Sequence, residues 1–144
     1  MVLLGAGGAS RAAAGALVEA GAKVSVLNRT RARAEALAAD LEGLVTVADS
    51  EDETYDADLV INALSVRPTY DVSRLKPTAV VMDMTYRPLI APFLSDARAQ
   101  VLTIVDGLAM LIGQAIPSFE AFFGQVPPEL DVRSTLLTYL GETA

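Results

Sequence analysis

The sequence predicts an α/β fold: a doubly wound, mostly parallel sheet of six strands flanked by helices. Three observations lead there. Six short apolar runs alternate along the chain with segments of helical character. The later runs are apolar almost without interruption, as parallel strands buried on both faces are, with no polar residue at every second place. A glycine-rich turn, "LGAGGAS", stands between the first run and the first helix, where sheets of this kind receive a phosphate.

The elements follow in order. "MVLLG" is a short buried strand, and the Ala-rich segment Ser10–Ala20 is a helix stopped by Gly21. "AKVSVLN" is the second strand. Arg31–Leu41 is helical, with Ala34, Leu37, Ala38 and Leu41 on one face and Thr30 as its N-cap. "LVTVA", "ADLVINAL" and "TAVVMDMTY" are strands three to five, and the acidic stretch Ala48–Ala57 is an abbreviated crossover. Ile90–Ala99 is a helix after Pro88, and "VLTIVDG" is the sixth strand. Gly107–Phe123 is a long apolar helix that Pro117 should kink or split. "GQVPPELD" is a turn, after which Asp131 caps a short C-terminal helix, Val132–Leu140.

With 144 residues, 52% hydrophobic and 20% charged, the chain reads as one compact domain, 1–144. No apolar run approaches the ~18 residues that cross a bilayer. No basic segment precedes "MVLLGAGGAS", so no membrane partner and a cytoplasmic location are expected. The chain has no cysteine and no histidine. That excludes disulfides, a thiol nucleophile, a Ser-His-Asp triad and a His-ligated zinc, and no metal site is expected. Neither lysine, Lys23 or Lys76, follows a tyrosine at four residues' spacing, so a Tyr-Lys proton-transfer pair is missing as well.

The net charge of -7 weighs against nucleic acid as a partner. Its distribution is uneven. Eight acids and no base occupy Asp40 to Asp58, a solvated loop or short helix, whereas Lys23, Arg29, Arg31 and Arg33 are the only charges between Glu19 and Glu35.

The glycine turn accounts for part of this pattern. Gly5 lets the chain turn sharply, Gly7 lets backbone amides approach a pyrophosphate, and Ser10 or Ala12 is small enough for the helix to pack on the sheet. Gly-x-Gly alone is a weak signal, but here it follows a strand and opens a helix. The second strand ends at Asn28, 21 residues after Gly7. NAD-binding domains carry Asp or Glu near this point for the ribose 2′-hydroxyl. Asn28 is neutral and would not repel a 2′-phosphate. Arg29 can stack on adenine while donating to that phosphate, Thr30 adds a hydroxyl at a helix start, and Arg33 returns one turn later. Three positive charges at a helix N-terminus oppose its dipole unless an anion is bound. The cluster reads as an NADP selector.

"LGAGGASRA" followed by "NRTRARAEALA" resembles the C-terminal cofactor domain of the shikimate dehydrogenase family, which includes quinate/shikimate dehydrogenases. The resemblance continues through "DLVINAL", "MDMTYRP" and "DGLAMLIGQAIPSFEAFFG", from Val2 to about Phe123. It implies a Rossmann-like NADP-binding domain of an enzyme that reduces 3-dehydroshikimate to shikimate with NADPH. It places Gly5, Ala6, Gly7, Gly8 and Ala9 around the pyrophosphate and Asn28, Arg29, Thr30 and Arg33 around the 2′-phosphate. Asn62, Ala63, Met84, Gly107 and Met110 become further cofactor contacts, and Tyr86 and Gln114 reach the substrate.

Some positions depart from the family pattern. Arg67-Pro68 follows "NALSV" where a Gly-Met is usual, Ala91 replaces a frequent threonine, and Pro117 lies in the Gln114 helix. The family's N-terminal substrate domain and its catalytic Lys-Asp pair have no counterpart here, so no catalytic residue is assigned. Two alternatives stay open: a stand-alone NADP-binding or redox-sensing module without catalysis, and a relative of glutamyl-tRNA reductase. Without the substrate domain, the face carrying Tyr86, Gln114 and the Val132–Leu140 stripe is expected to be exposed and to self-associate as a homodimer, or to leave a loosely ordered C-terminal segment if the chain stays monomeric.

Overall fold

The computed structural model describes residues 1–141, and the last three positions of the expected domain lie outside the described residues. Six strands, β1 (Val2–Leu4), β2 (Val24–Leu27), β3 (Val45–Val47), β4 (Leu59–Asn62), β5 (Val80–Asp83) and β6 (Thr103–Val105), pair in the order β3-β2-β1-β4-β5-β6. Every pairing is parallel. The chain starts in the centre, runs to one edge, returns beside β1 and runs to the other edge. Connections leaving β1 and β4 therefore diverge, which opens a crevice beyond the strands' C-terminal ends.

The two faces of the sheet hold separate cores because successive side chains point opposite ways. Leu3, Val26 and Ile61 face α1 (Gly8–Glu19) and α2 (Arg31–Asp40), which contribute Ala14, Ala34 and Leu37. Val2, Leu4, Val60 and Val81 face α3 (Pro92–Ala99), with Phe93, Leu94 and Ala97. α4 (Gly107–Phe123) and α5 (Val132–Leu140) form a third, smaller cluster around Leu89, Leu108 and Leu137.

Three details differ from expectation. α1 begins at Gly8, two residues before Ser10, because glycine backbone enters the helix directly from the turn. The sixth strand starts at Thr103, since Val101 has φ 60 and a left-handed β-branched residue cannot continue a strand. α4 runs unbroken through Pro117. A proline ring clashes with the carbonyl four residues back. That residue here is Gly113, and the helix is nonetheless continuous from Gly107 to Phe123. The acidic crossover is a single 3-10 turn, Glu51–Glu53. No helix among the described residues is long and apolar enough to cross a membrane.

Candidate functional site

The turn after β1 has the geometry its glycines allow. Gly5 has φ +111, its amide donates to the Leu27 carbonyl at 2.9 Å, and an added Cβ would lie 2.9 Å from Leu64 Cδ2. Gly7 caps α1 in extended conformation, with no side chain bonded to the first amides and no acid in the first turn. A Cβ at Gly7 or Gly8 would meet nothing within 4 Å, and Gly7, Gly8 and Ala9 are exposed. A helix N-terminus with free amides under an open glycine surface is a cradle for an anion. Ser10 is fully buried under this turn, and its hydroxyl has no hydrogen-bond partner among the described residues.

Beyond β2, Asn28 Nδ2 donates to the Thr30 carbonyl at 2.8 Å, which fixes the bend into α2. Thr30 occupies the N-cap position, but its hydroxyl makes no cap bond. The three arginines separate into two kinds. Arg31 is ion-paired with Asp49 and, through Nε at 2.7 Å, with Glu35. Arg29 and Arg33 form no ion pair among the described residues, and both line a cleft of about 740 Å³ with Gly5, Asn28 and Thr30. The facing wall carries Asp49, Ser50 and Glu51. Glu51 accepts from the Tyr55 hydroxyl at 2.8 Å. Burial first, and the Glu51 hydrogen bond second, push that hydroxyl up to about 12, so it stays a neutral donor.

A second cleft, of about 410 Å³, lies beyond β4 and β5 and is lined by Ala63, Met84, Thr85 and Tyr86. Leu64 and Ser65 line both clefts, so the two adjoin across the switch in strand order. Asn62 does not face either one with a free side chain. It is buried, donates to Asp83 Oδ2 at 2.9 Å, and accepts from the Leu64 amide at 3.1 Å. Asp83 in turn accepts from the Thr85 amide at 2.8 Å. Asn62 and Asp83 thereby shape the two loops that form the cleft.

Gly107 is buried where α4 starts, and a Cβ there would lie 2.5 Å from the Thr85 carbonyl oxygen and 2.6 Å from that of Met84. Only glycine lets the helix approach this loop so closely. Asp106 caps α4 through the Ala109 amide at 2.9 Å and receives Arg133 of α5 at 2.6 and 3.2 Å. Burial pushes the Asp106 carboxyl up, but the Arg133 guanidinium and backbone amides outweigh it and hold the group below the usual carboxylate range. Met110 and Gln114 stand four residues apart on one side of α4 and line neither cleft, and Gln114 is exposed. Tyr86 is 47% exposed.

Asp83, Asp49 and Glu51 were not among the expected site residues. Asp83 had a readable signal, because "LVIN" and "VVMD" each end an apolar strand on one polar residue, and register pairs those two residues. Asp49 and Glu51 lay hidden in an acidic stretch that resembles an ordinary solvated loop.

Comparison with known proteins agrees with this geometry. The family described as "Shikimate / quinate 5-dehydrogenase" matches residues 1–85, and "Shikimate 5'-dehydrogenase C-terminal domain" matches residues 107–137. The shikimate dehydrogenase (NADP(+)) of Caulobacter vibrioides is 48% identical across 99% of this chain and 54% of its own length. Shikimate 5-dehydrogenase from Thermus thermophilus, solved in complex with NADP(H) and shikimate, superposes with a TM-score of 0.79 at 35% identity, covering 88% of this chain and 50% of that one. Quinate dehydrogenase from Corynebacterium glutamicum, solved in complex with NAD, has a TM-score of 0.82 at 34% identity, covering 97% and 54%. The chain spans about half the length of the curated relatives it matches.

Proposed function

The chain belongs to the shikimate/quinate 5-dehydrogenase family, and on that premise we propose that it is the NADP-binding half of a shikimate dehydrogenase-type oxidoreductase. The observation that carries the cofactor choice is the pair Arg29 and Arg33, which have no ion partner among the described residues and share a cleft with the neutral Asn28. An acid at Asn28 would favour a ribose 2′-hydroxyl, whereas two free guanidinium groups favour a 2′-phosphate. The residues present fit the whole cofactor. The open amides of α1 suit the pyrophosphate, and the smaller adjoining cleft, with Ala63 and Met84, suits the nicotinamide.

Bound NADP(H) supplies or accepts the hydride in reactions of this kind. This chain's residues hold and orient it: Gly5–Ala9 at the pyrophosphate, Asn28, Arg29, Thr30 and Arg33 at the 2′-phosphate, and Asn62 and Asp83 through the loops they brace. Gly107 sets the approach of α4 to the Met84–Thr85 loop. Met110 and Gln114 line neither cleft in this chain alone, and we assign them, with Tyr86, to contacts made once the substrate domain is in place. No residue here is assigned to proton transfer. We assign that step to a substrate domain of the kind that fills the other half of the relatives, acting on 3-dehydroshikimate or shikimate. The chain alone therefore binds cofactor without turnover. The expected exposed stripe on α5 is corrected in part, because Leu137 is buried and Leu136 packs with it against Leu89 and Leu108. Self-association is assigned instead to the exposed Val132 of that stripe with Phe122, Leu130 and Tyr139 beside it.

The test is calorimetric titration of the 144-residue chain with NADPH and NADH, followed by a shikimate oxidation assay with and without a separately prepared substrate domain. Preferential NADPH binding with turnover only on adding that domain supports the proposal. Equal affinity for both cofactors, or saturable turnover by this chain alone, contradicts it. Light scattering across a concentration series tests self-association.

A further inference from the structure

The three arginines after β2 are unequal, and the inequality has a consequence for cofactor choice. Among the described residues Arg31, in the first turn of α2, is the only one of them held by acids, Asp49 and Glu35. Asp49 is well placed to matter. Val26 of β2 and Val47 of β3 are register partners, and the Ala48 amide donates to the Val26 carbonyl at 3.0 Å. Two residues further along each parallel strand, Asn28 and Asp49 leave the sheet side by side, and both line the large cleft. The Asp49 amide is tied to Glu53 Oε2 at 3.0 Å, which holds the loop in place.

A carboxylate thus stands just beyond the end of the neighbouring strand, beside the position where NAD-binding domains carry their ribose-binding acid. Left unpaired, Asp49 would accept a ribose 2′-hydroxyl and repel a 2′-phosphate. We infer that Arg31 is a positioning residue that masks Asp49, so the cleft keeps its preference for the phosphorylated cofactor although Arg31 itself lines no part of it. The inference rests on the large cleft holding the adenosine end of NADP. The Arg31 and Asp49 side chains are 56% and 64% exposed, so the effect has the size of an exposed charge pair: about two- to fivefold in affinity.

The experiment measures NADP and NAD dissociation constants by calorimetry at low salt for the wild type, Arg31→Ala, Asp49→Asn and the double variant. Position 31 is exposed and helical, and alanine keeps a helix intact, which circular dichroism verifies. Arg31→Ala should weaken NADP about two- to fivefold and leave NAD unchanged or tighter. Asp49→Asn alone should change NADP by less than about twofold, while the double variant should regain wild-type NADP affinity. Arg31→Lys, which keeps the charge, should retain the preference. If Arg31→Ala weakens NADP equally in the Asp49→Asn background, Arg31 acts on the phosphate directly and the inference is overturned. Equal losses for NADP and NAD overturn it as well. A wild-type chain that binds neither cofactor overturns the function proposed for the cleft, and that result is read before any variant is made.

Discussion

Asn62 and Asp83 meet across the C-terminal ends of β4 and β5, the amide of one donating to the carboxyl of the other at 2.9 Å, with both residues 1% exposed. Their remaining oxygens take the Leu64 and Thr85 amides, so one buried pair holds both loops of the smaller cleft. Removing a partner leaves buried donors unmet, at about 1–3 kcal/mol each. Asp83→Ala should therefore lower the urea midpoint by the equivalent of about 2–4 kcal/mol at unchanged m-value. Asp83→Asn, which keeps one acceptor oxygen, should cost less. An unchanged midpoint for Asp83→Ala would show that the pair does not brace the loops.

Gly107 predicts an intolerance that solvent cannot relieve. The atoms an added methyl would strike are backbone, the Met84 and Thr85 carbonyls, so α4 itself has to move. Gly107→Ala should cost about 1–3 kcal/mol by overpacking, more than alanine's helix propensity returns. Gly113→Ala in the same helix, where the space is open, should be neutral or stabilising. Thermal melts of the two variants should separate, and matching melting temperatures would count against the close approach.

The Asp106–Arg133 pair predicts an acid-sensitive attachment of α5. The folded chain holds Asp106 below the ordinary carboxylate range, so on acidification the unfolded state takes up the proton first. Stability from this pair is complete above about pH 4, the unfolded carboxylate value, and is lost as pH falls through the depressed folded value. Arg133→Ala should lower stability at pH 7 and flatten the fall in melting temperature below about pH 4. Parallel acid limbs in the variant and the wild type would show that Arg133 is not the partner responsible.

Arg29, without an ion pair among the described residues and lining the cleft with Asn28, should discriminate between cofactors directly. A charge-assisted phosphate contact is worth ~1.5–3 kcal/mol, or roughly ten- to a hundredfold in affinity. Arg29→Ala should weaken NADP by that factor and leave NAD nearly unchanged, and added salt should narrow the gap in the wild type. Calorimetry showing equal losses for both cofactors would remove Arg29 from the selector role.

Much of this could be read along the chain, because the signals involved are local. Near-continuous apolar runs such as "VVM" and "LVI" mark strands wherever they occur, and Gly5, Gly7 and Gly8 between a strand and a helix specify an anion turn through backbone geometry alone. Asn28 and the arginines raised the expectation of a phosphate preference by charge and spacing. What tertiary structure decided were the pairings across long separations. The sequence "NRTRAR" does not say which arginine meets an acid. That followed from β3 lying beside β2, which brings Asp49 to Arg31 and leaves Arg29 and Arg33 without an ion pair among the described residues. Nothing local to Asn62 says that β5 lies alongside and that Asp83 engages its amide. Pro117 was expected to kink or split its helix, yet α4 is continuous from Gly107 to Phe123. Local propensity and apolar period come from neighbouring residues, so they survive in the sequence. Charge pairing and hydrogen-bond satisfaction depend on which strands become neighbours, and only the folded sheet determines that.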